Sequence, residues 1–362
     1  MMDVLVVNAG SSSLKLSLLN PADKVLAATE VEHWDSGGPP AALTSFLDGL
    51  PGVDAVGHRV VHGGPHLEAP AVIDATVRRA IEAATDLAPL HQPRALGGID
   101  VLSRLLPRVP AVACFDTAFH AGLPAAASTY ALPAAWRERF GLRRYGFHGL
   151  SHGYAARRAA EMLGTTPELL RIVSCHLGAG ASLAAIAQGR SVDTTMGFTP
   201  LEGLVMATRA GNTDPGLLLW LLRDGGLTLD DLAEGLEHGS GLAGLAGAAD
   251  MRDVTRAADA GDPAAILALE VYLHRLRQLI AGMAAAMDGL DVLVFTGGIG
   301  EHQPRIRSRG APAFLGVLLE EQRNQAATGD ADIGAAGSPV ATLVITSRED
   351  IEIARQVREV LC

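Results

Sequence analysis

The sequence predicts an α/β protein made of two duplicated halves, and three observations predict it. Asp3 to Leu19 forms a strand-turn-strand pattern: Val4 to Val7 is a short apolar run suited to a buried strand, Ala9 to Ser12 are small, and Leu14, Leu16 and Leu18 alternate with Lys15 and Ser17. Arg171 to Ile186 repeats the pattern, with Gly178 in the place of Gly10. A chain of 362 residues also exceeds one compact core and favours two domains. A tight turn of small residues between strands leaves N–H groups and hydroxyls directed outward, which suits a phosphate. Two such turns in duplicated halves point to one nucleotide held between them.

The composition narrows the partners. Hydrophobic residues make up 48%, enough for a large core, while an aromatic content of 4% argues against stacking on nucleic-acid bases. A formal net charge of −11 repels nucleic acids and acidic membrane surfaces, so any anion has to be met by locally placed cations. Those are nearly all arginines, because Lys15 and Lys24 are the only lysines. No basic segment leads into a long apolar core at the N-terminus, and no apolar run approaches a membrane span. The expectation is a cytoplasmic protein without a nucleic-acid or membrane partner. Cys114, Cys175 and Cys362 are far apart and predict neither a disulfide framework nor a zinc site.

In chain order, residues 20–54 are rich in proline, glycine and charge and are expected to form edge strands, a short helix and loops. Asp54 to Gly64 is a strand that ends in a glycine pair and carries Arg59. An arginine inside an apolar strand either snorkels at an edge or meets an anion in a cleft. A helix over Val77 to Leu87 breaks at Ala88 to Pro93, and a second over Arg94 to Leu106 leads into strand Ala111 to Phe115. That strand ends on Asp116, where open α/β sheets place their ligands. The domains are expected as 1–117 with 348–362, and 118–347.

Arg143 to His152 is the densest polar and aromatic cluster, followed by a helix over Tyr154 to Leu163. Ser191 to Pro215 has no clear period, and long irregular segments of this kind tend to be functional. A helix over Gly216 to Arg223 precedes a glycine-rich loop, Gly239 to Gly247, opening onto Asp250, Met251 and Arg252. The long apolar helix Ala264 to Met287 is followed by strand Asp291 to Phe295, the glycine loop Thr296 to Glu301 and a basic helix, a nucleotide-binding arrangement that is weak evidence alone. A strand over Val340 to Thr346 and a helix over Ser347 to Leu361 close the chain. Ser347 and Asp350 there match a capping box and leave Glu349 unaccounted for.

The motifs also occur in a specific order: Asn8-Ala-Gly-Ser-Ser-Ser-Leu-Lys15, His58-Arg-Val-Val-His-Gly-Gly64, Leu87-Ala-Pro-Leu-His91, Phe115-Asp-Thr-Ala-Phe-His120, Arg144-Tyr-Gly-Phe-His-Gly149, Met196-Gly-Phe-Thr-Pro-Leu-Glu-Gly203, Thr208-Arg209 and Phe295-Thr-Gly-Gly-Ile-Gly-Glu301. Over nearly the whole chain this set resembles the acetate kinase family, within the superfamily of acetate and sugar kinases, heat-shock proteins and actin. The resemblance implies a duplicated actin-like (ribonuclease H-like) fold with a nucleotide cleft between the domains. It implies reversible in-line phosphoryl transfer between ATP and acetate or propionate, giving ADP and an acyl phosphate, with Mg2+ as the metal and Mn2+ as a substitute. It also implies closure of the domains and a homodimer joined through the second domain.

A carboxylate acceptor is already ionised at neutral pH and needs charge neutralisation more than a general base. By resemblance Arg59 and Arg209 supply it, His148 donates to the transferring phosphoryl with His91 in support, and Asp116 positions either Mg2+ or an arginine. Asn8 and Glu349 correspond to metal-side ligands acting through water. Val61, Leu90, Phe147 and Pro200 correspond to the wall of a small acyl pocket, with His91 among the substrate-binding residues. The resemblance implies a nucleotide set of Ser11, Ser13, Lys15, His176, Gly178, Ala179 and Gly180 toward the phosphates, then Asp250, Met251, Arg252, Gly297, Gly298, Ile299 and Gly300 toward adenosine.

Four departures from the family pattern stand out. Ala179 replaces the usual asparagine of the second phosphate turn, Thr346-Ser-Arg-Glu-Asp replaces the usual Thr-Asn-Glu-Glu, Gln92 follows His91 in place of asparagine, and the segment before Arg59 is short. A kinase for a longer, butyrate-type acid, a donor other than ATP, and a non-catalytic actin-like ATP switch are the alternatives. A zinc reading of His148 and His152 lacks an acidic or cysteine partner.

Overall fold

A computed structural model of the chain describes residues 2–10, 13–32, 34, 41–89 and 91–362. They form two compact units, the first made of residues up to 121 with 147–154 and 348–362, the second of 122–146 and 155–347. Compared with the expected segments, the first unit also takes in 118–121 and 147–154, and with them His148.

The first unit contains a six-stranded sheet of β1 (Val4–Ala9), β2 (Ser13–Leu19), β3 (Val25–Glu32), β4 (Ala55–Val60), β5 (Ala71–Val72) and β6 (Ala111–Phe115), in the order β3-β2-β1-β4-β6-β5. Alternation along β1 separates its faces. Leu5 and Val7 join Leu14, Leu16, Leu18, Leu43, Val101 and Leu102 on one side. Val4 and Val6 join Leu150, Ile353, Ala354 and Val357 on the other, so the helix Glu349–Leu361 covers that face.

The second unit repeats this plan. Its strands are β7 (Arg171–Leu177), β8 (Ala181–Ala187), β9 (Arg190–Thr194), β10 (Val292–Thr296), β11 (Ala331–Asp332) and β12 (Ala341–Val344), in the order β11-β12-β10-β7-β8-β9. In each sheet two antiparallel pairings (β1 with β2 and β2 with β3; β7 with β8 and β8 with β9) are followed by two parallel ones (β1 with β4 and β4 with β6; β7 with β10 and β10 with β12). The outermost strand, β5 or β11, adds antiparallel. Two sheets of one topology are the duplication that the paired strand-turn-strand segments predict. Registers tied to Gly10 and Gly178 make Arg59 correspond to Thr296, and Asp116 to Ser347.

Three local expectations are corrected. The glycine-rich stretch after Gly239 forms a helix, Gly241–Ala246, and Gly297–His302 is helical rather than a loop. Tertiary context overrides the low helix propensity of glycine in both. The capping box at Ser347 and Asp350 is absent: Arg348 is the N-cap, the Ser347 N–H donates to Glu301 Oε1 at 3.0 Å, and Asp350 pairs with Arg348 at 2.9 Å. Among the described residues, no helix is long and apolar enough to cross a membrane.

Candidate active site

The expected site residues fall into two groups, one in each unit. In the first unit the centre is Arg59 on β4. Its Nε donates to both Asp116 carboxylate oxygens at 3.3 and 3.2 Å, and its Nη2 to Asp116 Oδ2 at 2.7 Å. Nη1 donates to Asn8 Oδ1 at 3.4 Å and lies 3.3 Å from Glu349 Oε2. Four segments distant in sequence meet there: the ends of β1, β4 and β6, and the start of the last helix. Burial works against the Arg59 charge, but the Asp116 and Glu349 carboxylates outweigh it and hold the guanidinium above its ordinary pKa. Burial pushes the Glu349 carboxyl up, opposed by Arg59.

His148 stands at the head of the helix Gly149–Met162 with φ at 56°, a left-handed conformation that costs energy for a residue with a Cβ. The Gly149 N–H donates to the Asp116 carbonyl at 2.9 Å, and any side chain at 149 would overlap that carbonyl. Asp116 thus steers Arg59 with its carboxylate and the His148 turn with its backbone. Phe147 is buried, its ring edge-on to His62 at 5.5 Å, and its carbonyl lies 3.1 Å from His120 Nε2. His91 occupies the N-cap position of the helix Gln92–Leu105. The adjacent Gln92 is fully buried and donates to the His62 and Ile81 carbonyls at 2.9 and 3.1 Å, so the longer amide ties the segment after β4 to the helix Ala75–Ala83.

Val61 follows β4 directly and is half-buried. Lys15 lies opposite Asn8 on β2, 3.5 Å from Glu30, and the Ser13 hydroxyl donates to Glu30 at 2.7 Å. Ser11 and Leu90 lie outside the described residues.

In the second unit, β7 carries His176 into the turn Gly178-Ala179-Gly180, where the Gly178 N–H donates to the Gly180 carbonyl at 3.0 Å. Pairing of Leu177 with Ala181 makes this turn one residue shorter than its counterpart, which runs from Ala9 to Leu14. A cavity of ≈ 520 Å³ opens beside it, lined by Gly178, Ala179, Asp250, Met251, Arg252, Gly298 and Ile299 among others. Gly297 and Gly300 are buried behind Gly298 and Ile299 in the same short helix. Asp250 caps the helix Met251–Asp259 and binds Arg252 through both carboxylate oxygens, which holds its carboxyl down at about 2.

Arg209 donates to the Pro200 carbonyl at 3.4 Å and approaches Met206 Sδ at 3.9 Å. Burial lowers its pKa, Glu237 opposes this, and no carboxylate pairs with it among the described residues. A half-buried guanidinium without a carboxylate partner suits an incoming anion.

Asn8, Asp116 and Glu349 form an all-oxygen donor set of the hard type that suits Mg2+. Among the described residues no three His, Cys, Asp or Glu side chains converge on an ion, so a cation here would complete its shell with water and phosphate oxygens. The residues that the sequence leaves unmarked are Tyr130, Asn212 and the brace role of Gln92. Tyr130 sits in a stretch without period or motif, so only the fold reveals it.

Residues 42–355 match the acetokinase family. An acetate kinase of Synechococcus sp. is 44% identical, the alignment covering 99% of each chain, and one of Clavibacter michiganensis is 45% identical over 98% of each. Among solved structures, Porphyromonas gingivalis acetate kinase superposes with a TM-score of 0.93 at 36% identity over 100% of both chains. A propionate kinase from Francisella tularensis gives 0.92 at 34% identity, again over 100% of both.

Proposed function

The chain belongs to the acetokinase family, and from that membership we propose that it is an acetate kinase, moving the γ-phosphoryl group of ATP reversibly to acetate and also to propionate. The observation that carries the reading is the convergence of Asn8, Asp116 and Glu349 on Arg59. An acceptor carboxylate needs a fixed cation, and this one is held by groups that leave it little freedom to turn.

One acceptor oxygen forms the new bond to the γ-phosphorus. The bond to the β,γ-bridging oxygen breaks, and its electron pair leaves with ADP. The acceptor is already anionic, so no proton is removed. Arg59 holds its carboxylate, while Arg209 and His148 stabilise the oxygens of the transferring group, with His91 in support. Asp116 aims Arg59 instead of acting as a base. Mg2+, or Mn2+ in its place, when bound through Asn8 and Glu349, supplies neutralisation of the β- and γ-phosphate charge. Val61, Phe147 and Pro200, with Leu90, bound the acyl tail. One methylene in such a wall is worth only about 1 to 3 kcal/mol, so acetate and propionate are separated weakly.

The nucleotide belongs beside the Gly178–Gly180 turn, with adenosine toward Asp250, Met251, Arg252, Gly298 and Ile299. A homodimer is supported by the helix Pro215–Arg223, which has no buried residue and exposes Leu217, Leu219 and Trp220. The cytoplasm, where ATP is made and spent, is the expected location.

The test is hydroxamate trapping of acyl phosphate with acetate, propionate and butyrate against ATP, GTP and pyrophosphate. Acetate and propionate with ATP are the expected pairs. Butyrate preferred by about tenfold, or pyrophosphate over ATP, overturns the corresponding part. Slow ATP hydrolysis without acyl phosphate would indicate an actin-like switch.

A further inference from the structure

Tyr130, Arg144 and Glu202 form a closed knot among residues that carry no assigned part in the reaction. Glu202 Oε1 accepts from Arg144 Nη2 at 2.6 Å, and its Oε2 accepts from the Tyr130 hydroxyl at 2.7 Å. The Arg144 guanidinium also lies over the Tyr130 ring, 5.5 Å from its centroid. Burial, reinforced by the Glu202 carboxylate, raises the Tyr130 pKa and keeps its hydroxyl a proton donor.

Both partners grip the segment that leads to Glu202. Arg144 Nη1 donates to the carbonyls of Thr195 and Met196 at 3.3 and 3.0 Å, and the Phe198 N–H donates to the Tyr130 oxygen at 2.7 Å. Gly197 lies so close to the knot that a Cβ there would overlap both Glu202 Oε2 and the Tyr130 hydroxyl. The segment lacks packing on one side, where a cavity of ≈ 430 Å³ lies against Tyr130, Thr199, Glu202 and Asn212. Thr195 and Met196 are buried, whereas residues 198–202 are only partly buried, so the hydrogen bonds of the knot hold the outer part of the segment.

That shape is passed to Arg209. The Pro200 carbonyl, between the gripped residues and Glu202, accepts from Arg209 Nη1 at 3.4 Å. Asn212 fastens the Arg209 loop to the same segment, its Oδ1 accepting from the Gly203 N–H at 2.9 Å and its N–H donating to the Gly203 carbonyl at 3.0 Å. We propose that the Tyr130–Glu202–Arg144 knot is a positioning device for Arg209, setting the direction of its guanidinium through the Pro200 carbonyl. Glu202 is a positioning residue, and its effect belongs to the transition state that Arg209 serves. The proposal rests on the assignment of Arg209 to phosphoryl transfer.

A double-mutant cycle tests it. Glu202→Gln keeps the size of the side chain and removes the charge that closes the knot. It should lower kcat by at least about tenfold and change the KM for ATP by less than about twofold, because the nucleotide-cavity residues take no part in the knot. Arg209→Lys leaves a cation that cannot use the fork geometry, so adding Glu202→Gln to it should lower the residual kcat by less than about twofold. Equal factors in both backgrounds overturn the proposal, since a loss of folded enzyme would also act equally in both. If Glu202→Gln does not fold, Tyr130→Phe opens the knot from its other side and should give the same unequal pattern. Full activity in Arg209→Ala would overturn the assignment of Arg209, whereas an additive cycle overturns only the positioning role.

Discussion

Arg59 and Asp116 are locked together by three hydrogen bonds, Nε to both carboxylate oxygens at 3.3 and 3.2 Å and Nη2 to Oδ2 at 2.7 Å. Asp116 is nearly fully buried, so the fork is shielded from solvent on the carboxylate side. Breaking such a pair from one side strands the other charge. Asp116→Asn should therefore cost about 3 kcal/mol of stability in urea unfolding, and raise the KM for acetate as Arg59 loses its aim. An unchanged urea midpoint would mean that solvent or Glu349 already satisfies Arg59.

At His148 stability and catalysis are expected to separate. Its φ of 56° is one that glycine adopts without penalty. His148→Gly should leave the melting temperature equal or higher while kcat falls by about 100-fold, the usual order for a lost proton donor. A variant that loses stability in proportion to activity would show that the imidazole is a packing group.

The duplicated topology was legible in the sequence because its signal is local: β1 and β7 are short apolar runs, and each is followed by a turn of small residues and an alternating strand. Arg59 and Asp116 were legible as an arginine within a strand and an acid at a strand end, but their pairing was not, since 57 residues separate them and no periodicity encodes a long-range ion pair. Asp116 as a partner for an arginine or for Mg2+ stayed open for that reason. The helices at Gly241–Ala246 and Gly297–His302 were hidden by glycine, whose low propensity masks helices held by tertiary contacts. The knot at Glu202 was hidden because Tyr130 and Arg144 reach it from segments 72 and 58 residues away.

Burial depresses the pKa of His58, His62 and His120 to about 4, with the Phe147 carbonyl opposing this at His120. In the unfolded chain these groups titrate near 6.5, so below that pH the unfolded state binds more protons than the folded one. Stability is therefore fully present above about pH 6.5 and falls as pH drops toward 4, by up to about 1.4 kcal/mol per pH unit for each histidine. Urea midpoints measured from pH 7.5 to 5 should decline, and His58→Gln should flatten the slope. A midpoint independent of pH over that range contradicts the buried neutral state.

Ala179 lines the ≈ 520 Å³ cavity, and its methyl group offers no hydrogen bond to an anion. The turn around it is one residue shorter than the turn after β1, leaving fewer backbone N–H groups to do that work. A side-chain amide placed there would add one bond to a charged group, worth about 1.5 to 3 kcal/mol. Ala179→Asn should accordingly lower the KM for ATP by about tenfold, and leave the KM for acetate unchanged because the acceptor is assigned to Arg59. The Ala179 carbonyl already accepts from the Ala207 N–H at 3.0 Å, so the backbone of the turn is fixed and the new amide need not rebuild it. Steady-state kinetics with ATP and acetate varied independently decides the matter. A change in the acetate KM with none in the ATP KM would place the turn beside the acceptor and reverse the assignment of the two phosphate turns.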